Sequence, residues 1–460
     1  MTDDTIAAIA TPLGEAGLSV IRISGADALT VADRCFRSKG KDGMKPSVAA
    51  THTIHFGHII HNGAPVDEVL LSVMRAPRTF TREDVVEVAC HGGILPAKLV
   101  LDAVLASGAR IAEPGEFTRR AFLNGRIDLA QAEAVSDLIH SRTELALRAA
   151  NEQLAGKLSA RINTLRDEML ETLAHIEAHI DFPDEDIAPD TRRQLTGRLE
   201  RALAFMDELL RTANEGQILR RGIRAAIIGK PNVGKSSLLN QLLGRDRAIV
   251  SAIPGTTRDT IEETANIRGL PVVFVDTAGL REACDEIEIE GIQRSRRALQ
   301  EADLLLHVFD LSEVMPEDAA AVPADFAGKK RIVVFNKADL KPKVARNPDP
   351  GQFAPASSVR VSCTTGEGLE ALKDAIKAAV WSGEINAEML QVMINSRHQD
   401  ALNRARLSTG RTLEALAANH TLELVALDLR IAVNAVGEIV GKTTTEDLLD
   451  TIFSQFCIGK

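Results

Sequence analysis

Two glycines, a lysine and a serine in the run Gly229-Lys230-Pro231-Asn232-Val233-Gly234-Lys235-Ser236 have the spacing of a phosphate-binding loop, G-x-x-x-x-G-K-S. The apolar run Ile223 to Ile228 precedes it and Ser237-Leu238-Leu239-Asn240-Gln241-Leu242 follows, which supplies the strand, loop and helix order that such a loop requires. Glycine lets successive backbone N–H groups turn toward phosphate oxygens, and the positive end of the next helix adds to the attraction. In that frame Lys235 reaches the β- and γ-phosphates and the Ser236 hydroxyl holds Mg²⁺. Asn232, Val233, Gly234 and Ser237 complete the expected phosphate contacts.

Three further stretches come in the order a guanine-nucleotide pocket needs. Asp276-Thr277-Ala278-Gly279 follows the strand-like Val272 to Val275, placing a carboxylate beside the metal and a glycine beside the γ-phosphate. Asn336-Lys337-Ala338-Asp339 follows Ile332 to Phe335. Its carboxylate, Asp339, can accept from the ring N–H and the exocyclic amine of guanine, whereas facing adenine it would be left unpaired. Ser362-Cys363-Thr364, after Val359-Arg360-Val361, resembles the loop that contacts the guanine O6. Each stretch alone could be a strand-end turn; together they point to GTP. Between the phosphate loop and Asp276 lies a switch-like segment, Ile253-Pro254-Gly255-Thr256-Thr257-Arg258-Asp259, in which Thr257 is the natural residue to complete Mg²⁺ coordination, with Ser251 and Ala252 just ahead of it as further expected nucleotide contacts. Leu280 stands where Ras-like enzymes carry a water-positioning glutamine, so hydrolysis must recruit another group. The acidic run Glu282, Asp285, Glu286, Glu288 and Glu290 offers candidates, although such runs are commonly solvated helix starts.

The elements that must position these loops come from a chain of 460 residues, enough for two to four domains. A hydrophobic content of 45% and a charged content of 26% describe an ordinary globular protein. No apolar run approaches the length of a membrane span and Met1 to Ala10 lacks the basic start of a secretory signal, so the expected location is the cytoplasm. Cys35, Cys90, Cys284, Cys363 and Cys457 are scattered without a C-x-x-C pair, indicating neither a disulfide framework nor a zinc site. The net charge of -10 argues against a generally basic nucleic-acid binder but leaves room for a local basic face. Tyrosine is absent and aromatics make up 3%, which argues against base-stacking platforms.

The region from Thr5 to Arg120 reads as an α+β module, with strands at Val20 to Ser24 and Val85 to Ala89 and a helix over Lys98 to Ala106. His91-Gly92-Gly93 and Pro114-Gly115-Glu116-Phe117 read as tight turns, and the charges of Arg22 and Glu87 are assigned to solvent. From Asp128 the pattern turns helical. Leu154, Leu158, Ile162, Leu165, Met169, Leu173, Ile176 and Ile180 form one apolar stripe that predicts a single long helix stopped at Phe182-Pro183-Asp184. A second helix through Leu195 to Leu210 is expected to end near Asn214-Glu215-Gly216, and helices return over Leu390 to Leu416, Leu422 to Val440 and Glu446 to Phe456. Helical sequence on both sides of the nucleotide module suggests an insertion into one helical domain, with two separate helical domains as the alternative. The chain ends on Cys457-Ile458-Gly459-Lys460, placed directly behind an amphipathic helix.

Several stretches together carry a resemblance: Arg22-Ile23-Ser24-Gly25, His91-Gly92-Gly93, Pro114-Gly115-Glu116-Phe117, Ala121-Phe122-Leu123-Asn124-Gly125-Arg126, Asp128 to Ala134, Asp181-Phe182-Pro183, the nucleotide motifs and the terminal Cys-Ile-Gly-Lys. The sequence resembles the MnmE (TrmE) family of tRNA modification GTPases, within the TrmE-Era-Der-like group, over essentially its whole length. The resemblance implies a multidomain α+β and α/β architecture: an N-terminal α+β folate-binding and dimerisation domain (1–120), an all-α helical domain in two parts (121–220 and 383–460), and an inserted Ras-like P-loop GTPase domain (221–382). It implies a homodimer that joins the FAD-dependent MnmG (GidA) in a heterotetramer, acting on the wobble uridine of certain tRNAs. There it adds a (carboxymethyl)aminomethyl group at carbon five. A 5-formyltetrahydrofolate or methylenetetrahydrofolate cofactor would be held by Arg22, Glu87, Arg126 and Lys460. Hydrolysis would use K⁺ bound by Asn232, Ser251, Ile253 and Thr256, with Glu288 orienting the attacking water indirectly. Cys457 is a candidate nucleophile, which would require its thiolate, or equally a binding or structural residue. A competing reading keeps the GTPase as a switch in ribosome assembly, but neither a KH-type module nor a second GTPase domain is evident.

Overall fold

The computed structural model describes residues 4–39, 43–181, 189–244, 263–275, 300–313, 329–341, 357–381 and 387–460. They divide into two compact units, Met1–Ser136 with Ser159–Leu199 and Leu407–Lys460, and Asp137–Leu158 with Glu200–Arg406. Among the described residues no helix is long and apolar enough to cross a membrane.

The first unit is built on a seven-stranded sheet. Its strands are β1 (Ile6–Ile9), β2 (Ala16–Ser24), β3 (Phe36–Ser38), β4 (Thr53–His61), β5 (Ala64–Met74), β6 (Val85–Gly92) and β7 (Arg110–Ile111), in the order β3-β4-β5-β6-β2-β1-β7. Only the β1/β7 pair is parallel. Alternation sets one face: Ile21, Ile23, Leu71, Val73, Val86 and Val88 are buried with residues of the helices Ala28–Cys35 and Ile94–Ala106. Asn62 and Gly63, at φ +51° and +79°, make the two-residue turn between β4 and β5, the chemistry such hairpins require. The same unit contains the helices Glu116–Leu123, Leu422–Val440 and Glu446–Phe453.

The second unit carries a six-stranded sheet of β8 (Ile223–Ile228), β9 (Glu263–Ile267), β10 (Leu270–Phe274), β11 (Leu304–Asp310), β12 (Lys330–Asn336) and β13 (Ser357–Arg360). The order is β13-β12-β11-β8-β10-β9, parallel throughout except for the β9/β10 hairpin. Central strands buried on both sides read as continuous apolar runs, as Leu304 to Leu306 and Ile332 to Val334 do. Helices Lys235–Gly244 and Leu369–Val380 bury Leu238, Leu239, Leu242, Leu372 and Ile376 in one core with Val272, Leu306 and Val334.

Three expectations are corrected. The apolar stripe from Leu154 to Ile180 is not one helix: Glu144–Leu154 ends, Gly156 adopts φ +82°, and Lys157–Asp181 begins anew. The second helix, Pro189–Arg211, does end near the expected place, but Asn214-Glu215-Gly216 is not its stop, because these residues lie inside a further helix, Ala213–Arg221. Gly216 is there for contact rather than termination, since a Cβ on it would stand 2.3 Å from the Ile394 carbonyl oxygen. The stretch Leu390 to Leu416 is broken into Ala387–Gln391 and Ser396–Ala417, with the Asn395 Oδ1 accepting from the His398 N–H at the second start. Boundaries elsewhere move by a few residues, the Lys98 helix starting at Ile94 and the last helix ending at Phe453.

Candidate functional site

In open α/β sheets ligands sit beyond the carboxyl ends of the strands. Here the loop after β8, the end of β11, the loop after β12 and the loop after β13 meet there. Two glycines make the first loop possible. A Cβ on Gly229 would lie 2.3 Å from the Val308 carbonyl oxygen, and one on Gly234 would lie 2.2 Å from Asn336 Nδ2. Asn232 holds φ +63°, a left-handed conformation that asparagine tolerates better than most side chains. The chain then enters the helix Lys235–Gly244, whose first N–H groups and dipole make the loop attractive to anions. Lys235 Nζ donates to the carbonyls of Gly229 and Lys230, at 3.0 and 2.9 Å, so its ammonium lies over the loop itself. Burial pulls its pKa below the ordinary lysine value.

Asn336, 2% exposed at the end of β12, ties two loops together. Its Nδ2 donates to the Val233 carbonyl at 2.8 Å, and its Oδ1 accepts from the Cys363 N–H at 3.3 Å. Lys337, at φ +63°, donates to Asp310 Oδ2 at 2.6 Å. Burial pushes the Asp310 carboxyl upward, but the bonds from Lys337 and Ser312 outweigh it and hold the group below its ordinary value. Asp339 is exposed and is oriented by the Ser362 hydroxyl, which donates to its Oδ1 at 2.6 Å. Gln241 Nε2 donates to the Cys363 carbonyl at 2.8 Å, and burial raises the Cys363 thiol to about 11. The arrangement presents N–H groups and an ammonium to phosphates at one end, and a carboxylate to a donor pair at the other.

Asn232, Val233, Gly234, Lys235, Ser236, Ser237, Asn336, Lys337, Asp339, Ser362, Cys363 and Thr364 thus all lie beyond the carboxyl ends of the parallel strands, on the connecting loops, at the last residue of β12 or in the first turn of the helix Lys235–Gly244. Ser251, Ala252, Ile253, Pro254, Gly255, Thr256, Thr257, Asp276, Thr277, Ala278, Gly279 and Glu288 lie outside the described residues, as do Leu280 and Cys284. Sequence reasoning does not single out Asp310, although a carboxylate closing the largely apolar strand Leu304 to Phe309 is a readable signal. Nor does it reveal the bridging role of Asn336, which no local pattern encodes.

The first unit holds a second polar corner. Arg22 and Glu87 sit directly opposite one another on β2 and β6, and Arg22 Nε and Nη2 both reach Glu87 Oε1 at 2.8 Å. These charges therefore face each other rather than solvent. The Arg22 guanidinium lies 5.7 Å from the Phe117 ring centre, and that of Arg126 lies 5.4 Å from Phe80. Phe80 packs against the cluster containing Phe117. Arg126 also donates to the Thr79 carbonyl at 2.6 Å.

The chain terminus closes the corner. Ile458 bridges Pro114, the Gly459 carbonyl accepts from Arg22 Nη1 at 3.4 Å, and a Cβ on Gly459 would fall 2.5 Å from the Ile9 carbonyl oxygen. Lys460 is half-buried, while Cys457 is exposed. Pro114-Gly115-Glu116-Phe117 does more than reverse the chain. Gly115, at φ +69°, approaches the Phe453 carbonyl, and Glu116 accepts from Arg110 Nη2 at 2.5 Å and from Arg120 Nη2 at 3.1 Å. Arg120, 3% exposed, also reaches Asp4 and Glu83. His91 likewise does not just turn the chain: its bond to Asp67 raises the imidazole pKa.

Family models match the chain in two blocks: the GTP-binding protein TrmE N-terminus over residues 5–126 and the MnmE helical domain over residues 129–457. The tRNA modification GTPase MnmE of Chloroflexus aurantiacus is 49% identical over 463 residues, covering 100% of both chains. That of Bacillus subtilis is 46% identical, covering 99% of this chain and 100% of its own. Among solved structures, the G domain of the T. maritima FeoB iron transporter is 28% identical over 34% of this chain and 98% of its own, at a TM-score of 0.25.

Proposed function

The chain belongs to the MnmE family, and we propose that it is a GTP-hydrolysing tRNA modification enzyme acting with MnmG on carbon five of the wobble uridine. The observation that carries the reading is full-length similarity to enzymes of that name, joined to a strand-end pocket whose loops suit a guanine nucleotide. Residues 221–382 would form the GTPase module, 1–120 the folate-binding and dimerising domain, and 121–220 with 383–460 the helical domain. Lys235, now bonded to carbonyls of its own loop, would exchange them for phosphate oxygens, and Asp339, oriented by Ser362, would accept from guanine.

Ser236 at the helix start fits Mg²⁺, with Thr257 as its expected companion. Asn232 is exposed on the loop and held in the left-handed region. It fits K⁺ together with Ser251, Ile253 and Thr256, a cation that would neutralise phosphate charge in the position an arginine takes in other GTPases. Glu288 would orient the attacking water. In the polar corner the donor set of Arg22, Arg126 and Lys460 suits the carboxylates of a tetrahydrofolate, and Glu87 suits its amino-pyrimidine edge. The cofactor, when bound, supplies the one-carbon unit, while Cys457 stands exposed beside the corner as nucleophile or binding residue. Homodimerisation through the N-terminal domains, the heterotetramer with MnmG and a cytoplasmic location belong to the same proposal.

GTP hydrolysis by the purified protein in matched potassium and sodium buffers, with ATP as control, tests the nucleotide half. GTP-selective, potassium-stimulated turnover is expected; equal rates with ATP, or equal rates in both salts, would refute the corresponding assignment.

A further inference from the structure

The GTPase sheet has a second open end. Opposite the nucleotide loops, where the chain enters β8 and where β11 and β12 begin, lies a cleft of about 1080 Å³. Pockets for small ligands span roughly 300–1,000 Å³, so this one is at or above their upper limit. Its walls are the helix Ala213–Arg221, the amino ends of those strands and the end of the helix Leu369–Val380. Arg142, Arg220, Arg221, Arg224, Lys329 and Lys330 line it, against only the carboxylates of Glu215 and Asp303. In a chain of net charge -10 that is a pronounced local reversal of sign.

Some of these cations have structural partners. Arg220 pairs with Asp137 and Arg224 with Glu301, and Lys329 Nζ donates to the carbonyls of Gln300 and Ala302. Arg221 and Lys330 are exposed and form no ion pair with any described carboxylate. A second observation points to a ligand. Trp381 lines the cleft at 3% exposure, and its Nε1–H has no acceptor among the described residues. Buried indole N–H groups normally find one, and this donor can be answered only by an acceptor oxygen or nitrogen.

We infer that this cleft is an RNA-backbone contact, with Arg221 and Lys330 binding phosphates of the tRNA and Trp381 marking its floor. The inference rests on the proposed tRNA substrate and deepens it. Breadth and dispersion of charge favour a polyanion over a compact phosphate compound. Trp381 is 3% exposed and no phenylalanine lines the cleft, which fits phosphate contact rather than base stacking. Because the cleft and the nucleotide loops sit at opposite ends of the same strands, RNA bound here would touch the GTPase module without obstructing GTP.

The test uses the full-length protein and an unmodified tRNA transcript, followed by fluorescence anisotropy across a potassium chloride series. Arg221→Gln with Lys330→Gln should weaken binding about tenfold and reduce the slope of log K against log salt by about 1.5, since each phosphate contact contributes roughly 0.7–0.9. Basal GTP hydrolysis should stay unchanged, which also certifies the fold. Trp381 is the sole tryptophan, so intrinsic fluorescence reports on the cleft directly. It should respond to tRNA in the wild type, and not to inorganic tripolyphosphate at matched phosphate concentration. Equal affinity and slope in variant and wild type would overturn the inference alone. A response to tripolyphosphate but not tRNA would make the cleft a small-anion site and overturn it too. No tRNA binding by the wild type would count against the tRNA-modification reading itself.

Discussion

Replacing Asn336 by alanine isolates the link between the phosphate and base loops. The substitution removes the bond to the Val233 carbonyl at 2.8 Å and the one from the Cys363 N–H at 3.3 Å, leaving both backbone groups without their partner. A buried polar group left unsatisfied costs roughly 1–3 kcal/mol. Val233 is 6% exposed and its bond is short, which puts the carbonyl near the middle of that range; the Cys363 bond is long and half-buried, which puts it at the bottom. The total is about 3 kcal/mol. Surface loops can relax while no nucleotide is present, so the loss falls on the state in which GTP fixes both. At 1.4 kcal/mol per decade, GTP affinity should fall on the order of 100-fold. Titration with a fluorescent GTP analogue reads it, and Asn336→Asp separates hydrogen bonding from packing. The aspartate is nearly isosteric and keeps the acceptor for Cys363, but sets an oxygen against the Val233 carbonyl, so it should bind no better than the alanine variant. Affinity within about threefold of wild type in Asn336→Ala would refute the bridge, since that corresponds to well under 1 kcal/mol.

Three further outcomes are expected. Glu116→Gln should destabilise the first unit by about 3 kcal/mol at neutral pH, the low end for a broken buried pair because Asp4 and Glu83 still answer Arg120. Burial raises the Glu116 carboxyl, but Arg110, the Glu113 N–H and Arg120 together hold it below its ordinary value. Its contribution is therefore present above the unfolded carboxylate range and lost as pH falls through the folded value. Denaturant curves of variant and wild type should converge in acid, and a gap that persists there would mean a packing effect instead. Gly216→Ala should lower Tm although alanine is the better helix former, because its Cβ meets the Ile394 carbonyl; a raised Tm would show that the helices simply move apart. Arg22→Ala should weaken binding of a tetrahydrofolate measured by calorimetry, and unaltered affinity would take Arg22 out of that site.

Among the described residues, the loops of the candidate nucleotide pocket were legible because they are local: the phosphate loop and the Asn336 and Ser362 stretches each follow their own strand, and β8 begins and ends where the run Ile223 to Ile228 predicts. What stayed hidden was tertiary. Asn336 reads as a base-contacting residue, yet its amide is spent on two loops distant in sequence. Gly216 looks like a helix stop because the neighbour demanding a glycine lies far along the chain, at Ile394. Leu154 keeps the period of the following helix, and only the backbone at Gly156 reveals the break. Arg22 and Glu87 were assigned to solvent because alternation names the face a side chain takes, not the strand register that sets one charge opposite the other. The basic cleft escaped the composition, since an acidic total conceals a local surplus of arginine and lysine.

Nucleoside mass spectrometry of bulk tRNA tests the central claim most directly, in a strain lacking this gene and in the same strain carrying either the wild-type gene or Lys235→Ala. The account predicts that the (carboxymethyl)aminomethyl wobble uridine disappears on deletion, returns with the wild-type gene and fails to return with the lysine variant. Undiminished wobble modification in the deletion strain would contradict it, and full restoration by Lys235→Ala would cut the tie between the nucleotide pocket and the RNA chemistry.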